Sequence, residues 1–314
     1  MNWLDLALAA AAFVAVVLVL EFAAPQRMTR FWLALERRRA GLQLKRQTIR
    51  GGIDMPYLEG GRGETLLLVH GFGGDKDNFT RLAGALTRHY RVIVPDLPGF
   101  GEATRDPALR HAVPDQVRRL HEFVTALGLQ PLHLGGNSMG GFITAEYAAT
   151  HPLQVKSLWL LDPAGTAAAH GSPMLEHYLA TGDTPLLLRK PEDIGPALLA
   201  IAVRPPLLPP SVKTVLAQRA VADHALHAQI LQQLVHDSPT LEERLPMIAA
   251  PTLVVWGTED RILHPDGATA LQARLPRCRV VLMHGIGHVP MMEAPAATAD
   301  DYLRFRAELQ AQPS

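Results

Sequence analysis

Beyond residue 51 the chain alternates short apolar runs with amphipathic stretches, and few architectures accommodate that alternation. Runs at 65–69, 92–94, 132–134, 158–161, 253–256 and 280–282 read as strands buried on both faces. Stretches at 77–89, 114–127, 142–149, 265–275 and 296–311 repeat with a helical period. Strands without a polar face, separated by helices, require a parallel sheet covered on both sides, so an α/β doubly wound core is expected. Binding sites in such cores lie at the carboxyl ends of the strands. A chain of 314 residues, 48% hydrophobic and 19% charged, has enough apolar material for one large core or two modest ones.

The alternation stops between about 166 and 249. Helical periodicity continues there at 174–180, 194–203, 212–222 and 225–235, prolines cluster at Pro205-Pro206 and Pro209-Pro210, and no strand pattern is found. The expected organisation is therefore a core over 51–165 and 250–314, with 166–249 inserted as a helical cap. Apolar residues of this insertion, Leu186 and Leu207 among them, exceed what a small flap needs for its own packing, and are expected to line a substrate channel. Packing against the sheet is the alternative use for them.

The amino-terminal 25 residues are different material. Residues 6–20 contain no polar side chain, and as a helix the segment would span about 30 Å of hydrocarbon. A transmembrane anchor is expected, since the amino end lacks the cations of a signal peptide. Ala7, Ala11 and Ala15 recur at four-residue spacing, which would let two such helices approach and form a homodimer through this and the adjoining segment. Residues 26–50 carry eight Lys or Arg against the single acid Glu36, interleaved with Phe31, Trp32 and leucines. A basic amphipathic juxtamembrane segment on anionic headgroups is the expectation, with a solvated basic linker as the alternative. These cations lie on the catalytic-domain side of the anchor, which favours a cytoplasmic domain and leaves a periplasmic one open, because large domains can be exported despite such charges. Over the whole chain 30 basic residues balance 30 acidic ones, so nothing points to nucleic acid. A lone Cys278 excludes an internal disulfide and a structural zinc site.

Chemistry concentrates at Gly136-Asn137-Ser138-Met139-Gly140, a G-x-S-x-G pentapeptide placed after an apolar run and before a helical one. Small residues around Ser138 permit a strained strand-to-helix turn that presents its hydroxyl as a nucleophile. A serine needs a base, and the base needs a carboxylate to fix its tautomer. Asp260 and His288 follow later strand runs and supply both in the order that accompanies this turn. Glu259 and Asp162 are rival acids, and His284 is the rival base. For the oxyanion hole, the N–H of Met139 and that of Phe72 in the loop His70-Gly71-Phe72-Gly73-Gly74 are expected donors, with His70 bracing the loop. Gly71 and Asn137 are placed beside the substrate. A phosphate-cradle reading of the glycine loop lacks the Gly-Lys-Ser/Thr that should follow.

His70-Gly71-Phe72-Gly73-Gly74, Asp96-Leu97-Pro98-Gly99-Phe100-Gly101, Gly136 to Gly141, Trp256-Gly257-Thr258-Glu259-Asp260 and Gly287-His288 together resemble the α/β-hydrolase fold superfamily over about 50–311. Within it, the anchor, Asp75-Lys76-Asp77 and Asp162-Pro163-Ala164-Gly165 are similar to the membrane-anchored monoacylglycerol lipase and lysophospholipase branch and its bacterial lipase and phospholipase A relatives. That resemblance implies a single-pass protein of a bacterial inner membrane, a cap over an acyl pocket, no cofactor and no metal. It also implies hydrolysis of monoacylglycerol, lysophospholipid or phospholipid esters through an acyl-serine intermediate. Asn137 with Gly140-Gly141 is also similar to carbon–carbon hydrolases of aromatic ring-cleavage products, although their Gly-Pro-Gly oxyanion element is absent. A non-catalytic binding module is the remaining alternative.

Overall fold

The computed structural model describes residues 3–311; the first two residues of the expected anchor and 312–314 of the expected core lie outside the described residues. Eight strands form one sheet: β1 (Leu42–Ile49), β2 (Ile53–Gly60), β3 (Thr65–Val69), β4 (Arg91–Pro95), β5 (Leu132–Asn137), β6 (Val155–Leu161), β7 (Thr252–Gly257) and β8 (Cys278–Met283). Their order is β1-β2-β4-β3-β5-β6-β7-β8. From β4 onward in that order all pairings are parallel, while β1 and β2 pair antiparallel at one edge.

Each central strand divides its apolar side chains between two cores, as the two-residue period of a strand dictates. Leu67, Val69, Ile93, Leu160 and Val254 face one, packed by α4 (Val113–Ala126), α5 (Met139–Thr150) and α11 (Asp266–Arg274). Leu66, Leu68, Val94, Trp159 and Val255 face the other, covered by α3 (Thr80–Leu86), α12 (Pro290–Glu293) and α13 (Pro295–Ala311). This two-sided burial explains why those runs are apolar apart from Thr65 and the buried His133.

The cap consists of α6 (Ala167–His170), α7 (Pro173–Thr181), α8 (Ile194–Ile201), α9 (Pro210–Ala222) and α10 (His224–His236), and no strand falls between β6 and β7 among the described residues. Proline opens α7 and α9, where its missing N–H would have no intrahelical partner. Ser172 caps α7 by accepting from the Leu175 N–H at 3.2 Å.

The amino-terminal region departs from its expected boundaries. Helix α1 (Trp3–Ala23) is nearly bare, with Leu8, Val16, Val19 and Phe22 exposed, and over Asp5–Ala23 it is long and apolar enough to cross a membrane. Helix α2 (Pro25–Arg39) follows and packs on cap helix α9. The basic segment expected to stay outside the core through residue 50 ends sooner, because Leu42–Ile49 is the edge strand β1. Its cations disguise it: Lys45 reaches Glu59 at 2.8 Å and Arg46 reaches Asp54, both on β2. An edge strand that keeps one flank in water reads as a polar linker. Of the eight cations, Arg37 is also committed to a core carboxylate, that of Asp77.

Candidate active site

Strand β5 runs into α5 through Ser138, whose φ of 55° and ψ of −121° place it in a region that side chains other than glycine rarely occupy. Neighbouring glycines make this possible. A Cβ on Gly140 would lie 2.2 Å from the Val69 carbonyl oxygen, and one on Gly136 would lie 2.3 Å from the Gly140 oxygen. The Ser138 carbonyl accepts from Phe142 N at 3.0 Å and Ala164 N at 3.1 Å, so the turn is held from both sides.

His288 follows β8 and projects from a buried loop whose own N–H donates to the Ile201 carbonyl at the end of α8 (2.9 Å). Its Nδ1 donates to Asp260 Oδ2 at 2.8 Å. Because a carboxylate only accepts, this bond leaves Nε2 as the ring's lone-pair atom. Asp260 is fixed in turn: its Oδ1 accepts from Ile262 N at 2.8 Å and Leu263 N at 3.1 Å. Ser138 and His288 line the same cavity of about 680 Å³. The rival residues Glu259 and His284 are exposed.

Asp162 behaves differently from Asp260. It is fully buried at φ 44°, its Oδ1 accepts from Gly257 N at 2.8 Å, and it clusters within 4.8 Å of Asp260 and His288. Burial, and then the charge of Asp260, push its carboxyl well above the ordinary range. Both causes favour the neutral form of Asp162, while Asp260 is the carboxyl that faces the imidazole.

The loop after β3 approaches the turn closely: a Cβ on Gly71 would meet Ser138 Cβ and Asn137 Oδ1 at 3.1 Å each. His70 is buried, with Nδ1 donating to the Gly71 carbonyl (2.8 Å) and Nε2 accepting from Leu97 N (3.0 Å), while burial lowers its pKa. It is a neutral brace. Phe72 lines the cavity beside Ser138, and Met139 is buried as the first residue of α5, where an N–H has no intrahelical acceptor.

The residues expected at the substrate fare unequally. Leu186 borders both the large cavity and a smaller apolar one of about 60 Å³ that also reaches Ser138. Leu207 sits on the outer rim and is 92% exposed. Asn137 borders the cavity, but its Nδ2 donates to both the Leu161 and the His288 carbonyls at 3.0 Å, so it braces the loops at Ser138 and His288 and has no amide hydrogen left for a ligand. Sequence reading also missed one wall. Thr29, Trp32, Leu33 and Arg37 of α2, which packs on cap helix α9, line the cavity, although that segment was expected to lie on headgroups or in solvent.

Comparisons with known proteins identify the family. The family model described as alpha/beta hydrolase fold matches residues 64–295. Lipase 1 of Psychrobacter immobilis is 44% identical over 283 residues, covering 88% of this chain and 88% of its own. Monoacylglycerol lipase abhd6-A of Xenopus laevis is 29% identical over 300 residues, covering 91% and 88%. Among solved structures, a membrane phospholipase A described as a bacterial virulence factor superposes with a TM-score of 0.89 at 41% identity, covering 98% of this chain and 99% of that one. A model match across most of the core, and a relative above 40% identity over almost the whole chain, leave one conclusion: this chain belongs to the α/β-hydrolase fold family.

Proposed function

We propose that this protein is a serine hydrolase of lipid acyl esters, held at a membrane by α1. The observation that carries the reading is the Asp260–His288 bond of 2.8 Å beside a cavity into which the strained Ser138 turn opens. His288 Nε2 takes the Ser138 proton as its oxygen attacks the acyl carbonyl, and Asp260 stabilises the imidazolium that forms. The Phe72 and Met139 N–H groups receive the oxyanion. His288 then protonates the leaving alcohol and, in the second half-reaction, deprotonates the water that releases the acid from Ser138.

A lipid substrate is favoured over a soluble ester by the setting of the cavity. Its apolar wall joins the cap to α2, directly after the exposed apolar α1, and relatives that it resembles are named lipases and a membrane phospholipase. Exposed Arg27, Arg30, Arg38 and Arg39 on α2 suit anionic headgroups, and by the charge rule they put the domain on the cytoplasmic side. Ala7, Ala11 and Ala15 on the bare face of α1 suit a homodimer in the bilayer. The test is turnover by the full chain in detergent of monoacylglycerols, lysophospholipids, diacyl phospholipids and short p-nitrophenyl esters, beside Ser138→Ala. Loss of all turnover in the variant and a preference for long-chain lipids are expected; activity surviving in Ser138→Ala, or equal rates across the panel, refutes the reading.

A further inference from the structure

The segment that carries the oxyanion donor is rich in glycine, and Gly73 adopts a φ of 70°. Such a segment has little conformational preference of its own, so its shape must be imposed from outside. The three residues that follow impose it, each from a different part of the molecule. Asp75 Oδ2 takes Arg219 of cap helix α9 at 2.6 Å. Lys76 is buried and gives both its backbone N–H and its Nζ to Asp96, after β4, at 2.7 and 2.8 Å. Asp77 takes Arg37 of α2 at both oxygens, Nε at 2.7 Å and a terminal nitrogen at 2.5 Å.

We propose that Arg37 is a positioning residue for the oxyanion loop, so that the seat of α2 against the core sets the turnover rate. The inference rests on the serine-hydrolase reading above. Arg37 and Asp77 are each nearly buried, their side chains 13% and 12% exposed, and the two-point geometry fixes direction as well as distance. Without Arg37, Asp77 keeps the Thr80 hydroxyl at 3.5 Å and, as its nearest cation among the described residues, Lys76 at 4.0 Å, which is already committed to Asp96. An acid left without its partner beside Asp75 repels it and pulls the turn at 75–78 off its seat. That turn is otherwise closed by Asp75 Oδ1 on Asp77 N (3.0 Å) and Asn78 Oδ1 on Asp75 N (2.7 Å), so displacement of Asp77 is transmitted back to Gly74 and Phe72. Arg37 also borders the cavity, but its Nε and one terminal nitrogen are turned edge-on to the Asp77 carboxylate, which fixes the direction of the guanidinium.

The test uses the full chain in detergent with p-nitrophenyl butyrate, a short ester that reaches the site without a bilayer. Arg37→Met should lower kcat by at least about tenfold, short of the roughly 10²–10³ of losing an oxyanion donor outright, with KM within about twofold. Asp77→Asn should do the same, and the Arg37→Met/Asp77→Asn pair should fall no lower than Arg37→Met alone, because both act through one contact. Arg37→Lys, which keeps one point of the pair, should recover most of the loss; if Arg37→Met does not fold, Arg37→Lys and Asp77→Asn decide between them by the same split. An unchanged kcat, a raised KM with kcat intact, or multiplying losses in the pair overturns the proposal. Ser138→Ala separates the two readings: if it is inactive while Arg37→Met matches wild type, only the positioning proposal fails.

Discussion

Asn137 offers a quantitative test of how the catalytic loops are held. Its side chain is 2% exposed and its two amide hydrogens go to the carbonyls of Leu161 and His288. Substituting Ala removes both bonds with unequal consequences. The Leu161 oxygen still accepts from Ser138 N at 3.0 Å, so that loss amounts to about 1 kcal/mol. The His288 oxygen loses its side-chain donor inside the protein, which costs about 1–3 kcal/mol. The sum is roughly 2–4 kcal/mol, equivalent to a fall in Tm of several degrees in a chain of this size. Because the freed carbonyl belongs to the base itself, kcat should fall with it, by about tenfold, as Nε2 drifts from its line to Ser138. Asn137→Asp has nearly the same volume but sets a carboxylate against two carbonyl oxygens, so at pH 8 it should lose more stability and more kcat than Asn137→Ala. Differential scanning fluorimetry and p-nitrophenyl ester kinetics on the pair decide the matter. If Asn137→Asp equals or exceeds Asn137→Ala, or if Asn137→Ala keeps wild-type Tm and kcat, the brace does not exist.

Further outcomes follow from buried titratable groups. Asp162 has a raised pKa in the fold, from burial and then Asp260, so its contribution to stability is complete below the unfolded value near 3.8 and is lost as pH rises through the folded one. Asp162→Asn keeps the acceptor for Gly257 N and does not titrate, so its Tm relative to wild type should climb between pH 4 and pH 8; a flat difference contradicts a neutral Asp162. His133 is held down to about 4, first by burial, against an ordinary value of 6.5. The unfolded chain takes up that proton first, so stability present above pH 6.5 is lost as pH falls toward 4. His133→Gln should flatten the dependence of Tm on pH in that window by about one proton, and an unaltered slope would count against the assignment.

Much of this architecture could be read from residues in isolation. Leu66 to Val69 and Leu253 to Trp256 are apolar throughout because both faces of their strands are buried, and composition alone conveys that. The strained turn at Ser138 was legible in part for a similar reason: a Cβ on Gly136 would lie 2.3 Å from the Gly140 oxygen four residues on, a local clash, whereas Gly140 is crowded by the Val69 and His70 carbonyls of a distant strand. Edge strand β1 was not legible, because its outward side chains are charged and their partners lie on β2. Nor were the roles of Asp162 and Asn137, which depend on what surrounds a carboxyl or an amide once burial has removed water.

The sequence by itself therefore determined the sheet's central strands and the strand-to-helix turn at Ser138, since each expresses a steric or solvation rule acting over a few neighbouring residues. Tertiary structure alone decided which carboxylate faces the imidazole, that α2 walls the cavity, and that Asp75, Lys76 and Asp77 tie one loop to the cap, the core and the amino-terminal helices. Their partners Arg219, Asp96 and Arg37 lie 144, 20 and 40 residues away. Pairing over such separations is set by how the sheet and helices pack, and no local rule carries it.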